Sequence, residues 1–390
     1  MIRKYRSLVS AGLAALLLST TSAAAFDTRA TAAFVLDEKT GTVLLAKNAD
    51  EALPPASMSK LMTLYIAFEA VRDGRLRMDE ELPVSAHANS FGGSTLFLRQ
   101  GERVSVEDLI RGIIVLSGND ACVVLAEALS PDGSEAGFAR MMTQRAQQLG
   151  MTNSVLKNSS GWPAAGHVMS MRDLTLLARH IIEDFPEFYP MFAEKEFLFD
   201  EAESSNRFNR NPLLALGIGA DGLKTGHTQE AGYGLVGSAK QGDRRVIFTI
   251  TGLDTAEARA QESESIVNWA FRQFAEKTVT RAGAVIAEAD VWMGASQTVG
   301  LMAKEDVTLL LPNTPGQGVT ADVVYTGPIE APIVEGRQLA ELIISPEGLP
   351  EHRIPLFAAS AVPASGFVAR MMSVSQVLLG RMQTPAEDTM

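Results

Sequence analysis

The stretch "PPASMSKLMT", Pro54 to Thr63, decides how this chain is read. It opens an apolar segment, "SMSKLMTLYIAFEAVRDG" (57–74), in which Leu61, Leu64, Phe68 and Val71 recur at helical spacing until Gly74. Ser57 and Lys60 stand three residues apart at its start, so a helix puts both side chains on one face. A serine hydroxyl is a poor nucleophile at neutral pH and needs a base within hydrogen-bond reach. Lysine serves as that base only when burial or a second cation pulls its pKa down. Backbone N–H groups at a helix start also favour negative charge on the serine oxygen. The same four residues fit a capped, solvated helix start equally well, so the pair alone settles nothing.

Two further stretches change the weighing. "SGND" (117–120) interrupts two apolar helical pieces. Its Ser117 could relay a proton, and its Asn119 could hold a substrate amide or the head of Lys60; a plain helix–helix corner reads the same. "DGLKTGHT" (221–228) opens a strand-like run. There Lys224 would bring a second cation to lower the pKa of Lys60, and Thr225 could bind a carboxylate. Gly226 has no side chain, so a substrate backbone could lie against the strand edge. A hairpin turn with a surface lysine is the bland alternative. Taken together, S-x-x-K, S-x-N and K-T-G in that order form the signature of penicillin-binding proteins and serine β-lactamases.

The chain resembles the low-molecular-weight penicillin-binding proteins that are D-alanyl-D-alanine carboxypeptidases. "PPASMSKLMT", "VSVEDLIRGIIVLSGNDACVVLAE", "DGLKTGHT" and "EKEF" carry the resemblance, which covers nearly all of residues 26–390. It implies that Ser57 is the nucleophile and Lys60 the base, with Ser117 and Asn119 as catalytic partners. It implies that Lys224, Thr225 and Gly226 bind substrate, and that the backbone N–H groups of Ser57 and His227 form the oxyanion hole. An arginine in the helix after the sheet strands binds the substrate carboxylate in that family, and Arg259 in "AEARAQES" is the match. The implied activity removes the terminal D-alanine from peptidoglycan stem pentapeptides through an acyl-enzyme, is blocked by β-lactams, and needs no metal or organic cofactor. A cross-link endopeptidase, a β-lactamase and a non-catalytic wall-binding protein are the alternatives. The β-lactamase reading lacks the Glu-x-x-Leu-Asn context of class A enzymes, and Gly118-Asn119 stands where those carry aspartate. One departure is plain: "KNSSGWPAAGHVMSMRD" (157–173) replaces the family's Asn-Pro-Thr-Gly-Leu and His-Tyr-Ser-Thr patterns, with Trp162 in place of leucine. That stretch is expected at the pocket rim.

The order of elements predicts an antiparallel sheet covered by helices, and the resemblance implies that this α/β (α+β) domain is transpeptidase/β-lactamase-like. "TAAFVLDEKTGTVLLAKN" (31–48) reads as a hairpin turning near Gly41. Ser105 with Asp108, and Ser170 with Asp173, read as helix caps. Another helix is expected over Phe138–Leu149. "YGLVGSA" and "RRVIFTIT" read as paired strands, followed by a long helix from Ala256 to Glu276. From Val279 the texture is all strand, in "AVIAEADVWM", "TVGLMA", "DVTLLLP", "VTADVVYT" and "IEAPIVEGRQLAELIIS". The expected boundaries are a signal segment 1–25, a peptidase domain 26–278, a small all-β domain 279–358, a linker 359–365, and an amphipathic helix 366–382.

The first 25 residues join the basic "MIRKYR", a short apolar run and small residues at Ala23-Ala24-Ala25, as in a secretory signal. The run is short for a membrane span. Without Arg3, Lys4 and Arg6, acidic residues outnumber basic ones 46 to 31, which repels nucleic acid at long range. The one cysteine, Cys122, excludes an internal disulfide and sits in an apolar helix pattern, and the five histidines form no zinc-like cluster. "GFVARMMSVSQVLLGRM" (366–382) has an apolar face at Phe367, Met371, Val374 and Leu378 and suits a helix lying on a membrane surface. The resemblance implies export to the periplasmic face of the inner membrane, with that helix holding the protein there peripherally.

Overall fold

The computed structural model describes residues 26–366 apart from 204, 314–318 and 347–348. The expected signal segment, and all of the expected terminal helix except Gly366, lie outside the described residues. The chain divides into two compact units between Arg272 and Gln273.

The first unit runs β1 (Ala32–Asp37), β2 (Val43–Lys47), a 3-10 turn (Ala56–Ser59), α1 (Lys60–Arg72), β3 (Glu81–Pro83), α2 (Ala86–Asn89), β4 (Arg103–Ser105) and α3 (Val106–Arg111). A π-helical turn (Gly112–Leu116) leads into α4 (Asn119–Leu129), α5 (Glu135–Gln148) and α6 (Met171–Asp184). Strands β5 (Ala220–Thr228), β6 (Gly232–Gln241) and β7 (Arg244–Leu253) and helix α7 (Ala256–Gln273) complete it. Chain-distant strands meet in one antiparallel sheet of order β2-β1-β7-β6-β5, which leaves β5 at an edge.

Local chemistry explains most of these elements. Gly41, at φ +68, closes the β1–β2 turn by donating its N–H to the Asp37 carbonyl at 2.9 Å. Ser105 and Ser170 cap α3 and α6 by accepting from the N–H groups of Asp108 and Asp173, each at 3.1 Å. Ser134 caps α5, which therefore begins at Glu135, three residues before the expected Phe138. Helix α6 lies on the sheet, where Thr175 and Thr249 of β7 share a hydrogen bond of 2.8 Å.

Helix α1 is buried well beyond the face that Leu61, Leu64 and Phe68 mark. Leu61, Met62, Leu64, Tyr65, Ile66 and Phe68 are all buried, so the helix runs through the core with neighbours all round. Phe68 meets the rings of Phe185, Phe188 and Phe192. Lys60, the first residue of this helix, is buried with it.

The second unit holds β8 (Phe274–Thr280), β9 (Val285–Trp292), β10 (Thr298–Met302), β11 (Val307–Pro312), β12 (Val319–Tyr325), β13 (Ile329–Glu330), β14 (Gln338–Pro346) and β15 (His352–Ala358). Six of them form a sheet of order β12-β14-β15-β10-β9-β13, and β8 pairs with β11. Val299, Leu301, Leu342, Ile344 and Leu356 are in its core. Three corrections arise here. The helix expected to reach Glu276 stops at Gln273, and Phe274–Thr280 is already a strand of the second unit, so the division precedes the expected boundary at 278/279. Strand β15 lies inside the expected all-β domain but was not among the named strand-like stretches; its Pro355 has no N–H to give to a ladder. Residues 359–365 are no free linker: Val362 bridges Ile333 and is buried, and Ala364 bridges Gly294.

Candidate active site

The 3-10 turn between β2 and α1 carries Ser57, and the first residue of α1 supplies Lys60. The turn is forced into a special shape: Ala56 has φ +48, and its carbonyl accepts from the Ser59 hydroxyl at 3.1 Å. Gly161 makes room for that carbonyl; a Cβ there would sit 1.9 Å from the Ala56 oxygen. Lys60 Nζ lies 2.7 Å from Ser57 Oγ and 2.7 Å from Asn119 Oδ1, and it donates to the carbonyl of Ser160. Three acceptors for one amine head fix its direction.

The second stretch is set by the π-helical turn after α3. It delivers Ser117 in the left-handed region, φ 64 and ψ 34, before Asn119 restarts the helix as α4. A non-glycine residue held there carries local strain, a cost that recurs at functional sites. The Asn119 amide donates to the Gly92 carbonyl at 2.8 Å, which leaves its oxygen turned to Lys60. Next to it, the buried Asp120 carboxylate accepts from the N–H groups of Leu96 and Leu98 at 3.0 and 3.1 Å and so pins the 94–98 loop.

The third stretch lies on the edge strand β5. Lys224 is buried and donates to Ser117 Oγ at 2.9 Å and to its neighbour's carbonyl, Thr225 O, at 3.1 Å. Gly226 lies flat against the turn that carries Ser57: a Cβ there would come within 2.9 Å of Met58 Cγ, 3.1 Å of Pro55 O and 3.2 Å of Met58 N. Two of those contacts are backbone, so only glycine lets the strand edge approach the turn that carries Ser57 this closely. Thr225 is buried, while His227 is exposed and stacks on Tyr233 at 3.8 Å between ring centroids. Thus Ser57, Lys60, Asn119, Ser117 and Lys224 form one continuous hydrogen-bonded group apart from a single gap, between Asn119 and Ser117, which the chain itself closes through Gly118.

Arg259 on α7 stands further out. It donates to the Arg210 carbonyl at 3.3 Å, its guanidinium carbon is 5.7 Å from the Tyr233 centroid, and its buried Nε has no hydrogen-bond partner among the described residues. Its charge lies near enough to Lys224 to press that amine toward neutrality.

Burial is the main electrostatic force on both lysines. It pulls the Lys60 pKa down to about 8, and the nearby Arg210 pushes it the same way. Lys224 is held well below the ordinary lysine value by burial first, then by the charges of Lys60 and Arg210. Arg210, which no motif marks, presses on both amines, and Lys60 and Lys224 stand near enough for their charges to repel each other. Cys122 is buried beside these amines, and burial pushes its thiol up to about 12, so it is a neutral packing group.

Two contributors were not visible in the sequence. Arg210 donates to Ser94 Oγ at 2.6 Å and to the Leu116 carbonyl at 3.2 Å. It lies in irregular chain with no motif spacing to mark it. The Ser160 carbonyl comes from the stretch expected to form only the rim. It is held in place because Glu135 accepts from the Ser159 N–H and hydroxyl at 3.0 and 2.7 Å, and Thr63 donates to the Ser159 carbonyl at 2.6 Å. Among the described residues, no group of three His, Cys, Asp or Glu is placed to hold a metal ion.

Residues 19–255 match the family model described as D-alanyl-D-alanine carboxypeptidase, and residues 274–364 match the model of the penicillin-binding protein 5 C-terminal domain. The chain is 35% identical over 345 residues to the D-alanyl-D-alanine carboxypeptidase DacC of Escherichia coli, covering 86% of this chain and 85% of that one. The crystal structure of the D-alanyl-D-alanine carboxypeptidase DacD of Francisella tularensis superposes with a TM-score of 0.76 at 27% identity, over 90% of this chain and 98% of that one. Penicillin-binding protein D2 of Listeria monocytogenes, solved in its ampicillin-bound form, is 34% identical with a TM-score of 0.55, over 62% of this chain and 97% of that one.

Proposed function

Because this chain belongs to the D-alanyl-D-alanine carboxypeptidase family, we propose that it removes the terminal D-alanine from peptidoglycan stem pentapeptides through an acyl-enzyme on Ser57. The observation that carries this is the buried Lys60 amine, 2.7 Å from the Ser57 hydroxyl with its pKa drawn down to about 8. About a tenth of that amine is neutral at pH 7, which is a workable supply of base. Neutral Lys60 takes the Ser57 proton while the oxygen attacks the carbonyl of the penultimate D-alanine. The backbone N–H groups of Ser57 and His227 meet the oxyanion, each donor worth about 3 kcal/mol to the transition state. The close fit of Gly226 against Met58 supports that pairing, since His227 follows Gly226 directly.

Asn119 orients Lys60 and the substrate amide. Lys224, Thr225 and Arg259 hold the terminal carboxylate, and its arrival beside Lys224 favours the protonated amine. The Ser117 hydroxyl, bonded to Lys224, passes a proton to the departing D-alanine nitrogen. Water then attacks the ester and frees Ser57. A β-lactam acylates the same oxygen. The test is release of free D-alanine from a pentapeptide ending in D-Ala-D-Ala, repeated with a cross-linked dimer. Release from the pentapeptide supports the reading, and release from the dimer alone overturns it in favour of an endopeptidase.

The leader-like residues 1–25 and the amphipathic pattern of 366–382 support an exported enzyme held at the periplasmic face of the inner membrane. No helix among the described residues is long and apolar enough to cross a membrane. Deleting the residues after Ser365 and fractionating cells tests the attachment; a truncated protein still in the membrane fraction refutes it.

A further inference from the structure

The Lys60 amine has three hydrogen-bond partners, and they are not equivalent. The Ser160 carbonyl accepts and cannot donate. The Asn119 oxygen is likewise confined to accepting, and it is kept toward Lys60 because the amide nitrogen of that side chain is turned to the Gly92 carbonyl. Of the three, Ser57 alone has a proton to give. A neutral amine carries two N–H bonds and one lone pair. With both N–H bonds taken by the two acceptors, the lone pair is left pointing at the Ser57 hydroxyl. Withdrawing the Ser160 carbonyl would let an N–H turn to Ser57 instead, and the amine would lose its aim as a base. The direction of one backbone carbonyl therefore matters to the reaction.

That carbonyl is fixed from outside its own loop. Ser159 and Ser160 are fully buried, and Gly161 beside them is packed against the Ala56 carbonyl. Glu135, the first residue of α5, accepts from both the N–H and the hydroxyl of Ser159 with one oxygen, Oε1, at 3.0 and 2.7 Å. Thr63 of α1 donates to the Ser159 carbonyl at 2.6 Å. The peptide groups on both sides of Ser159 are thus held, and the next carbonyl along is the one that meets Lys60. The other Glu135 oxygen, Oε2, lies 3.3 Å from Nε2 of the exposed His87. We infer that Glu135 is a positioning residue for the base: through Ser159 it holds the Ser160 carbonyl where that carbonyl directs the lone pair of Lys60 at Ser57. An acidic residue in the first turn of a helix also has an ordinary use, since it complements the helix dipole. The two roles ask for different things: the dipole asks for charge, and the carbonyl asks for reach. The inference rests on the acyl-enzyme reading and adds to it a residue that touches neither substrate nor nucleophile.

The test uses the whole protein and two substitutions that separate reach from charge. Glu135→Gln keeps an oxygen at the same distance along the side chain and loses the charge. Glu135→Asp keeps the charge and draws the carboxylate back by one C–C bond, about 1.5 Å. Acylation by a fluorescent penicillin is followed at rising concentration, which separates the affinity of the first complex from the rate constant of acylation. The labelled fraction at completion counts the folded sites, so a misfolded share of a variant lowers that fraction and not the rate constant. Glu135→Asp is expected to lower the acylation rate constant about 10- to 100-fold with the affinity little changed, the scale of a catalytic group misplaced by an ångström. Glu135→Gln is expected to stay within about threefold of the unaltered protein, because an amide oxygen has two lone pairs for the same two donors. An aspartate variant as fast as the unaltered protein, or a glutamine variant as slow as the aspartate one, overturns the positioning role and leaves the acyl-enzyme reading standing. No covalent label on the unaltered protein overturns both.

Discussion

In the proposed mechanism the chemistry turns on Lys60, because a buried amine pulled to about 8 is mostly protonated at pH 7 and must be neutral to act as the base. The sign follows directly. Below about pH 8 the neutral fraction rises tenfold per pH unit, so kcat/KM for D-alanine release climbs with that slope and levels off above it. A flat profile between pH 6 and 8 would contradict the role. Arg210 offers a sharper check. Removing its charge in Arg210→Gln lifts the Lys60 pKa, so the shoulder of the profile moves to higher pH; a residue that merely braced the loop would lower the plateau and leave the shoulder in place. The three motifs were legible because each is a short local pattern. Arg210 and the Ser160 carbonyl were not, because they reach Lys60 through irregular chain, and only the fold brings them there.

Among the elements, the tightest constraint is the contact of the 3-10 turn with its two glycine neighbours. Gly161 has φ +79 and an Ala56 oxygen where its Cβ would go. Gly161→Ala is expected to destabilise the protein by about 2–4 kcal/mol, read as a fall in the urea midpoint at constant slope. An unchanged midpoint would show that the turn can yield. Gly226→Ala pushes the β5 edge away from Met58, and the expected outcome is slower acylation by a fluorescent penicillin with little loss of stability. Unaltered acylation would remove the reason for glycine there. Hairpin β1–β2 and the caps at Ser105 and Ser170 were readable because turn and cap chemistry is local. The all-round burial of α1 was not, since its spacing of leucines and Phe68 also suits a surface helix.

At the scale of the whole molecule, the change from helices to strands announced two units, but α7 hid where one ends. Phe274 to Glu276 continues the helical pattern in sequence, yet these residues open the strand Phe274–Thr280, which pairs with β11. Val362 looked like linker because the residues around it are small, and its burial depends on distant Ile333. The core around α1 and α4 lies wholly within the first unit. A chain ending at Arg272 is therefore expected to fold and still bind a fluorescent penicillin covalently; failure to do so would show that the second unit is needed for the site. The central claim is that one serine forms a covalent acyl-enzyme, and mapping the adduct tests it most directly. After incubation with ampicillin and proteolysis, mass spectrometry should find the added mass on the peptide bearing Ser57, and none in Ser57→Ala. An adduct on any other residue, or D-alanine release that persists in Ser57→Ala, would contradict the account.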